Sequence, residues 1–210
     1  ALIAVGGGRR HRQRVAQLAT ECEVARLLGV KFVTAAMEGG KTPTIEASCY
    51  KLYATELSLR ALCVDAATGK ARWTFKTEGE IQSSPNWSGD RLFIGSYDEH
   101  LYCLSATSGA LLWKFRAGGP VHCTPAVDND TVYVAGCDEH LRGIDVATGQ
   151  QRLEVALGNY TGASAAVTGG QAYVGTFGNE VLGIALTRPS VRWRYYTTRT
   201  FPFHSSAAVA

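Results

Sequence analysis

The hydrophobic positions of this chain follow two different periods. From about Arg9 to Arg60 they recur at steps of three and four, so that Val15, Leu18, Cys22, Ala25 and Leu28 share one helical face and Gly29 stands where a helix stop is expected. A second helix is predicted from Thr42-Pro43, because threonine can cap free amides and proline is tolerated at the first helical position. Ile45, Cys49, Leu52 and Leu59 then form its apolar stripe. From Leu62 onward the pattern changes to short runs of β-branched and aromatic residues broken by glycine and aspartate. Arg91-Leu92-Phe93-Ile94-Gly95 and Thr131-Val132-Tyr133-Val134-Ala135 are examples, and both predict strands.

Within this second part the strands repeat. Trp73, Trp113, Leu153 and Trp193 fall at a constant step of forty residues. The same register is kept by Gly69, Gly109 and Gly149, by Val64, Leu104, Ile144 and Ile184, by Asp98 and Asp138, and by His100 and His140. Each unit is predicted to run strand, tight turn, strand, loop, strand, hairpin, strand. In the second unit the strands are placed near Leu101 to Ala106, Leu111 to Ala117, Val121 to Val127 and Thr131 to Cys137. Turns are expected at Thr107-Ser108-Gly109, Gly118-Gly119-Pro120 and Asp128-Asn129-Asp130, where Gly, Asn or Asp accommodates a positive φ.

Four strands at this period describe a propeller blade. A helical solenoid would need helical periodicity in every unit, and a single sandwich has no reason to hold so regular a register. The predicted fold is therefore mainly β: residues 62–210 form a partial β-propeller of three full blades and one incomplete, preceded over residues 1–61 by a short α-helical hairpin. Closed propellers use about 4–8 blades, so the expectation is an incomplete ring whose exposed blade edges self-associate.

Composition narrows the function more than the fold. The 210 residues are 46% hydrophobic and 19% charged with 23 glycines, as in a globular chain with many turns rather than a disordered one. A formal charge of +3, with basic residues scattered except for Arg9, Arg10, Arg12 and Arg14, argues against nucleic acid as a partner. No apolar run is long enough for a membrane span. The chain does not begin with Met, as expected of a fragment or a processed product. Six cysteines show neither metal nor haem spacing, and the pair with disulfide potential is Cys123 and Cys137, expected on adjacent strands of one hairpin.

The segment Asp65-Ala66-Ala67-Thr68-Gly69-Lys70-Ala71-Arg72-Trp73 resembles the tryptophan-docking motif of the quinoprotein-type, or PQQ-like, propeller family. The next blade keeps Thr107, Gly109 and Trp113 but has Ser105 for the aspartate. The third keeps Asp145, Thr148 and Gly149 but has Leu153 for the tryptophan, and the fourth has Ala185, Pro189 and Trp193. The resemblance implies that Asp65, Gly69, Trp73, Gly109, Trp113, Asp145, Gly149 and Trp193 tie blades together and mark no active site. The family includes PQQ-dependent alcohol and glucose dehydrogenases and a scaffold of the outer-membrane assembly machinery. Its alcohol dehydrogenases carry an adjacent Cys-Cys disulfide, which this chain lacks.

A second resemblance lies earlier. Gln17 to Leu28, Glu46-Ala47-Ser48 and Lys51 to Ser58 resemble part of the C-terminal helical domain of acyl-CoA dehydrogenases, without the sheet domain that such enzymes need. The abrupt join near Ala61 and Leu62 reads as a fusion of incomplete pieces; the alternative is two short helices docking on the propeller. The two resemblances point to different compartments, the first periplasmic and the second cytoplasmic. PQQ and FAD enter only through them, and no cofactor is predicted from the residues themselves.

Three sets of side chains invite a chemical reading. His100 and His140, beside Asp98-Glu99 and Asp138-Glu139, offer histidine and carboxylate for a metal or a general base, but their recurrence is explained by a hairpin whose acids face solvent while the histidine starts the next strand. Ser83-Ser84-Pro85 and Ser205-Ser206 lack the flanking glycines and histidine partner of a nucleophile and are expected on inner strands. Glu21, Glu23, Glu46 and Glu56 read as helix-surface acids. No catalytic or metal residue is predicted. The leading reading is a non-catalytic scaffold that binds a protein or peptide, and the alternative is an inactive fragment of a quinoprotein or acyl-CoA dehydrogenase.

Overall fold

The computed structural model describes residues 2–5, 59–65, 70–196, 203 and 206–208. The predicted helical hairpin and the acyl-CoA-dehydrogenase-like segment lie outside the described residues, apart from Leu59 and Arg60 at their end. Two compact units are present, Leu2–Lys76 and Thr77–Ala210.

The first unit contains one sheet, in the order β1 (Leu2–Val5), β2 (Arg60–Asp65) and β3 (Ala71–Lys76). β1 runs parallel to β2, with Leu2 opposite Leu62, and β2 pairs antiparallel with β3, with Cys63 opposite Trp73. The strand begins at Arg60, two residues ahead of the change of period at Leu62.

The second unit holds three antiparallel four-stranded sheets, each wound strictly in chain order. The first is β4 (Asn86–Ser88), β5 (Arg91–Gly95), β6 (His100–Ser105) and β7 (Leu111–Arg116). The second is β8 (Ala126–Asp128), β9 (Thr131–Ala135), β10 (His140–Asp145) and β11 (Gln151–Ala156). The third is β12 (Ala166–Thr168), β13 (Gln171–Gly175), β14 (Glu180–Ala185) and β15 (Ser190–Tyr196). Among the described residues the fold is thus mainly β, a partial β-propeller. The third and fourth strands of each blade share a bulge at Cys103/Leu104, Gly143/Ile144 and Gly183/Ile184, which adds local twist at the same point each time.

The period was read correctly but its phase was not. The four strands assigned to one unit from Leu101 to Cys137 belong to two sheets: β6 and β7 close one blade, while β8 and β9 open the next. The strand expected over Val121 to Val127 shrinks to Ala126–Asp128. A repeat length is unchanged by where counting starts, and only hydrogen-bonded pairing decides which strands share a blade.

Stacking provides the core. Phe93, Leu101, Cys103, Val132, Val134 and Ile144 form one buried cluster between the first and second blades, with Trp113 packed against it. Leu141, Val155, Leu157, Ala172, Val174, Leu182 and Ile184 form the cluster between the second and third. Central strands buried on both faces explain the continuous apolar runs at 92–94 and 132–135.

Cys123 and Cys137, the pair with disulfide potential, are not bonded, and both thiols are free. Neither residue sits in a strand: Cys123 is buried in a crossover loop, its Sγ 3.7 Å from the Thr161 carbonyl, and Cys137 is exposed, its Sγ 3.6 Å from His122 Nδ1. The hairpin itself forms, β8 against β9, but its strands run only from Ala126 and to Ala135, so both cysteines lie beyond its ends.

Candidate functional site

The seam between the first and second blades gathers three of the eight repeat residues. Trp113, on β7, donates its Nε1 hydrogen to the Val146 carbonyl at 3.1 Å. Its ring lies against Gly149, whose φ of 74° belongs to the turn joining β10 and β11. Asp145 organises that turn: Oδ1 accepts from the Ala147 N–H at 2.8 Å, the Thr148 N–H at 2.7 Å and the Thr148 hydroxyl at 2.9 Å, while Oδ2 meets Arg152. The Thr148 N–H and hydroxyl, joined by Arg152, hold this carboxyl down to about 2 from an ordinary 3.8.

The other repeat residues are distributed along the chain. Gly109 has φ 73° and donates to the Ser105 carbonyl at 2.8 Å, as Gly149 does to Asp145 at 2.9 Å. In the first unit the Asp65 N–H donates to the Lys70 carbonyl at 2.9 Å, Arg72 Nε lies 3.8 Å from Asp65 Oδ2, and Trp73 is half-buried in β3. Gly69 lies outside the described residues. Trp193 leans on Tyr173, with ring centroids 6.1 Å apart, and over Gly183, while remaining 44% exposed.

The repeated histidines open β6 and β10, and each ring turns back on its own hairpin: Nδ1 is 2.7 Å from the Asp98 carbonyl in His100 and 2.6 Å from the Asp138 carbonyl in His140. Glu99 and Glu139 occupy the positive-φ corner, at 69° and 62°. The neighbouring acids tie this hairpin to the incoming loop. Asp98 Oδ2 accepts from the N–H groups of Glu78 at 3.0 Å and Gly79 at 3.2 Å and from the Tyr102 hydroxyl at 2.7 Å; Asp138 Oδ2 accepts from the Gly118 N–H at 2.8 Å and from Arg142. Burial works to raise the Asp98 carboxyl, but the donors led by Tyr102 leave it below its ordinary value. Among the described residues no group of three His, Cys, Asp or Glu is placed to hold a metal.

The third blade solves the same problem differently. Gly178 replaces the aspartate, and Glu180 takes over: buried, it accepts Arg194 Nη1 at 2.9 and 3.0 Å on its two oxygens and Asn159 Nδ2 at 3.3 Å. Arg194 Nη2 reaches on to the Leu157 carbonyl at 3.0 Å.

Two arrangements were not singled out from the sequence. One is a relay of hydroxyls between blades: the Ser84 N–H donates to Thr124 Oγ1 at 3.3 Å, the Thr124 N–H to Ser164 Oγ at 2.8 Å, and the Ser164 N–H to Ser206 Oγ at 3.3 Å. The forty-residue step at 84, 124 and 164 was its available signal; the last step is 42 residues, which hides Ser206. Ser83, weighed as a nucleophile, instead exchanges two hydrogen bonds with Gly95, at 2.9 and 2.8 Å.

The other is a rim of rings at the end of the blades where the β5–β6 type hairpins meet the crossover loops. Tyr97 of one blade meets His122 of the next at a tilt, with ring centroids 5.8 Å apart, and Tyr160 meets Phe177 likewise at 5.2 Å. The Tyr97 hydroxyl donates to Gln82 Oε1 at 3.1 Å, and Tyr97 and Tyr160 stay 39% and 48% exposed. Such rings, apolar in body and polar at the tip, suit a protein interface.

The family model described as "Outer membrane protein assembly factor BamB" matches residues 58–207. The chain belongs to this family. Among solved structures it is similar to BamB from Moraxella catarrhalis, at a TM-score of 0.54 and 18% identity over 61% of this chain and 40% of that one. It is also similar to the quinohemoprotein alcohol dehydrogenase ADHIIG from Pseudomonas putida HK5, at 0.53 and 22% over 59% of this chain and 21% of that one. A europium-containing methanol dehydrogenase matches at 0.53 and 17% over 59% and 26%. No curated protein matches. The chain therefore spans less than half of each of these structures, and at such identities the likeness is one of fold: BamB and the quinoprotein dehydrogenases share PQQ-like propeller blades with it. No helix among the described residues is long and apolar enough to cross a membrane.

Proposed function

We propose that this chain is a non-catalytic propeller scaffold that binds a protein or peptide, and that an extended outer-membrane polypeptide is its class of partner. The observation that carries this reading is the ring-lined rim, where Tyr97 and Tyr160 stand partly exposed. Aromatic side chains with polar tips are the residues that most often dominate binding energy at protein interfaces. Membership of a family described by an assembly factor supports the same class of task. In this reading Asp65, Gly69, Trp73, Gly109, Trp113, Asp145, Gly149 and Trp193 lock blades as a tryptophan-docking set, and their polar atoms serve the frame.

The test is a titration of the purified chain into a fluorescently labelled outer-membrane β-barrel polypeptide freshly diluted from urea, read by anisotropy. Saturable binding is expected, weakened about tenfold or more by Tyr97→Ala with Tyr160→Ala at unchanged far-UV circular dichroism. Absence of binding, or binding indifferent to both tyrosines, overturns the reading. So does dye-linked alcohol oxidation by the chain supplied with PQQ and calcium, which would favour a dehydrogenase fragment instead.

A further inference from the structure

The turn joining the third and fourth strands of a blade is built around a carboxylate in the first two blades of the second unit, and in the third blade that carboxylate is missing. In the second blade Asp145 gathers the N–H groups of Ala147 and Thr148, the Thr148 hydroxyl and Arg152, whose Nη1 also reaches Thr131 Oγ1 at 2.9 Å. In the first blade Asp90 does the work from the adjoining hairpin, accepting from the Thr107 N–H at 2.9 Å, the Thr107 hydroxyl at 2.6 Å and the Ser105 hydroxyl at 2.9 Å. The sheet of the first unit has Asp65 with Arg72. One repeat step further, the position of Asp145 is Ala185 and the position of Asp90 and Asp130 is Gly170.

The donors, however, remain. Arg192 occupies the position of Arg152, and the Thr187 and Arg188 N–H groups occupy those of Ala147 and Thr148. Arg188 adds a second guanidinium where the two preceding blades have Thr148 and Ser108. Among the described residues neither arginine has an ion pair, and neither turn N–H has an acceptor. Gln171 receives the Tyr173 hydroxyl on Oε1 at 3.0 Å, which leaves its Nε2 as a further donor. A cavity of about 360 Å³ opens here, with Gly170, Gln171, Ala185, Thr187, Arg188 and Arg192 in its wall.

We propose that this cavity binds a phosphate group, free or as a monoester, seated where Asp145 places its carboxylate in the preceding blade. The wall offers two positive charges and several N–H donors and no carboxylate, which matches a dianion with three or four acceptor oxygens better than a single carboxylate. Guanidinium groups and successive turn amides are the recurring partners of phosphate. Volume beyond one phosphate leaves room for an ester substituent.

Isothermal titration of the purified chain with inorganic phosphate and, in a parallel arm, glycerol phosphate, at constant ionic strength set with chloride, tests this. Saturable binding of one equivalent is expected in at least one arm, and the arm that binds more tightly identifies the source. Arg188→Ala and Arg192→Ala should each weaken it at least about tenfold, whereas Arg152→Ala, on the blade that keeps its aspartate, should leave it unchanged. Ala185→Asp is the decisive variant: restoring the internal carboxylate should abolish phosphate binding while raising the urea midpoint of the unliganded chain. No binding in either arm, or binding that survives Ala185→Asp or both arginine changes, overturns the proposal.

Discussion

The indole of Trp113 occupies the space that a side chain at position 149 would need, for a Cβ on Gly149 would stand 2.7 Å from ring carbon Cδ2. The two residues lie on different blades, so the seam between sheets is set by a ring that fits only where the opposing turn has no side chain. That turn also requires a φ of 74° at the same residue, so close approach and backbone conformation both select glycine. Gly149→Ala is expected to cost about 2–3 kcal/mol, from displacing the ring and straining the turn together. Urea unfolding followed by tryptophan fluorescence measures it; a loss below about 0.5 kcal/mol would mean the seam yields freely.

Glu180 and Arg194 form the most enclosed ion pair of the third blade, with the Glu180 side chain 2% exposed. Removing Arg194, whose side chain is one-third exposed, strands the buried Glu180 carboxylate, so Arg194→Ala should cost about 3 kcal/mol. Replacing both, as Glu180→Leu with Arg194→Met, should recover much of that loss, because the desolvation of both charges disappears with them. Denaturant midpoints of the single and double variants give the comparison; a double variant no more stable than the single would contradict it.

Acid should loosen the second blade's turn in a defined window. The folded-state carboxyl of Asp145 lies at about 2, below its ordinary 3.8, so its contribution is fully present above pH 4 and is lost as the pH falls toward 2. Asp145→Asn keeps an acceptor for the turn amides but has no charge to titrate. The fall in melting temperature between pH 4 and pH 2 should accordingly be shallower in the variant than in the parent chain, and parallel curves would refute the assignment.

Thiol reactivity should rank by enclosure. Burial pushes the thiols of Cys103 and Cys123 up to about 12, which leaves almost no thiolate at neutral pH, while Cys137 is raised less and is exposed. Native alkylation at pH 8 with peptide mass spectrometry should modify Cys137 well before Cys103 and Cys123. Equal rates at the three would show that the blades open readily.

Much of this fold was legible along the chain because blade formation is a local matter repeated. Each hairpin is closed by neighbours in sequence, so the turn residues Asn129, with φ 50°, and Gly109 declared themselves by type, and the strands between them by alternation and β-branching. The candidate site was harder to see. Tyr97 meets His122 across a blade boundary, and the forty-residue register marks the pair only faintly: Phe177 recurs at the Tyr97 position but Cys137 interrupts it, and Gly162 stands at the position of His122. The third blade's substitute carboxylate, Glu180, also escaped notice because it stands two positions away from the aspartate it replaces.

The amino-acid sequence by itself determined the unit of construction: the forty-residue period, the strand-rich blade, and the residue types that close its turns. These depend on contacts within a few tens of residues, and each recurrence restates them. Only the tertiary structure decided where one blade ends, which thiols stay apart, and which side chains meet across a seam. Those outcomes rest on pairing and packing between sheets, and a period carries no information about its own phase or about the ring that lies opposite.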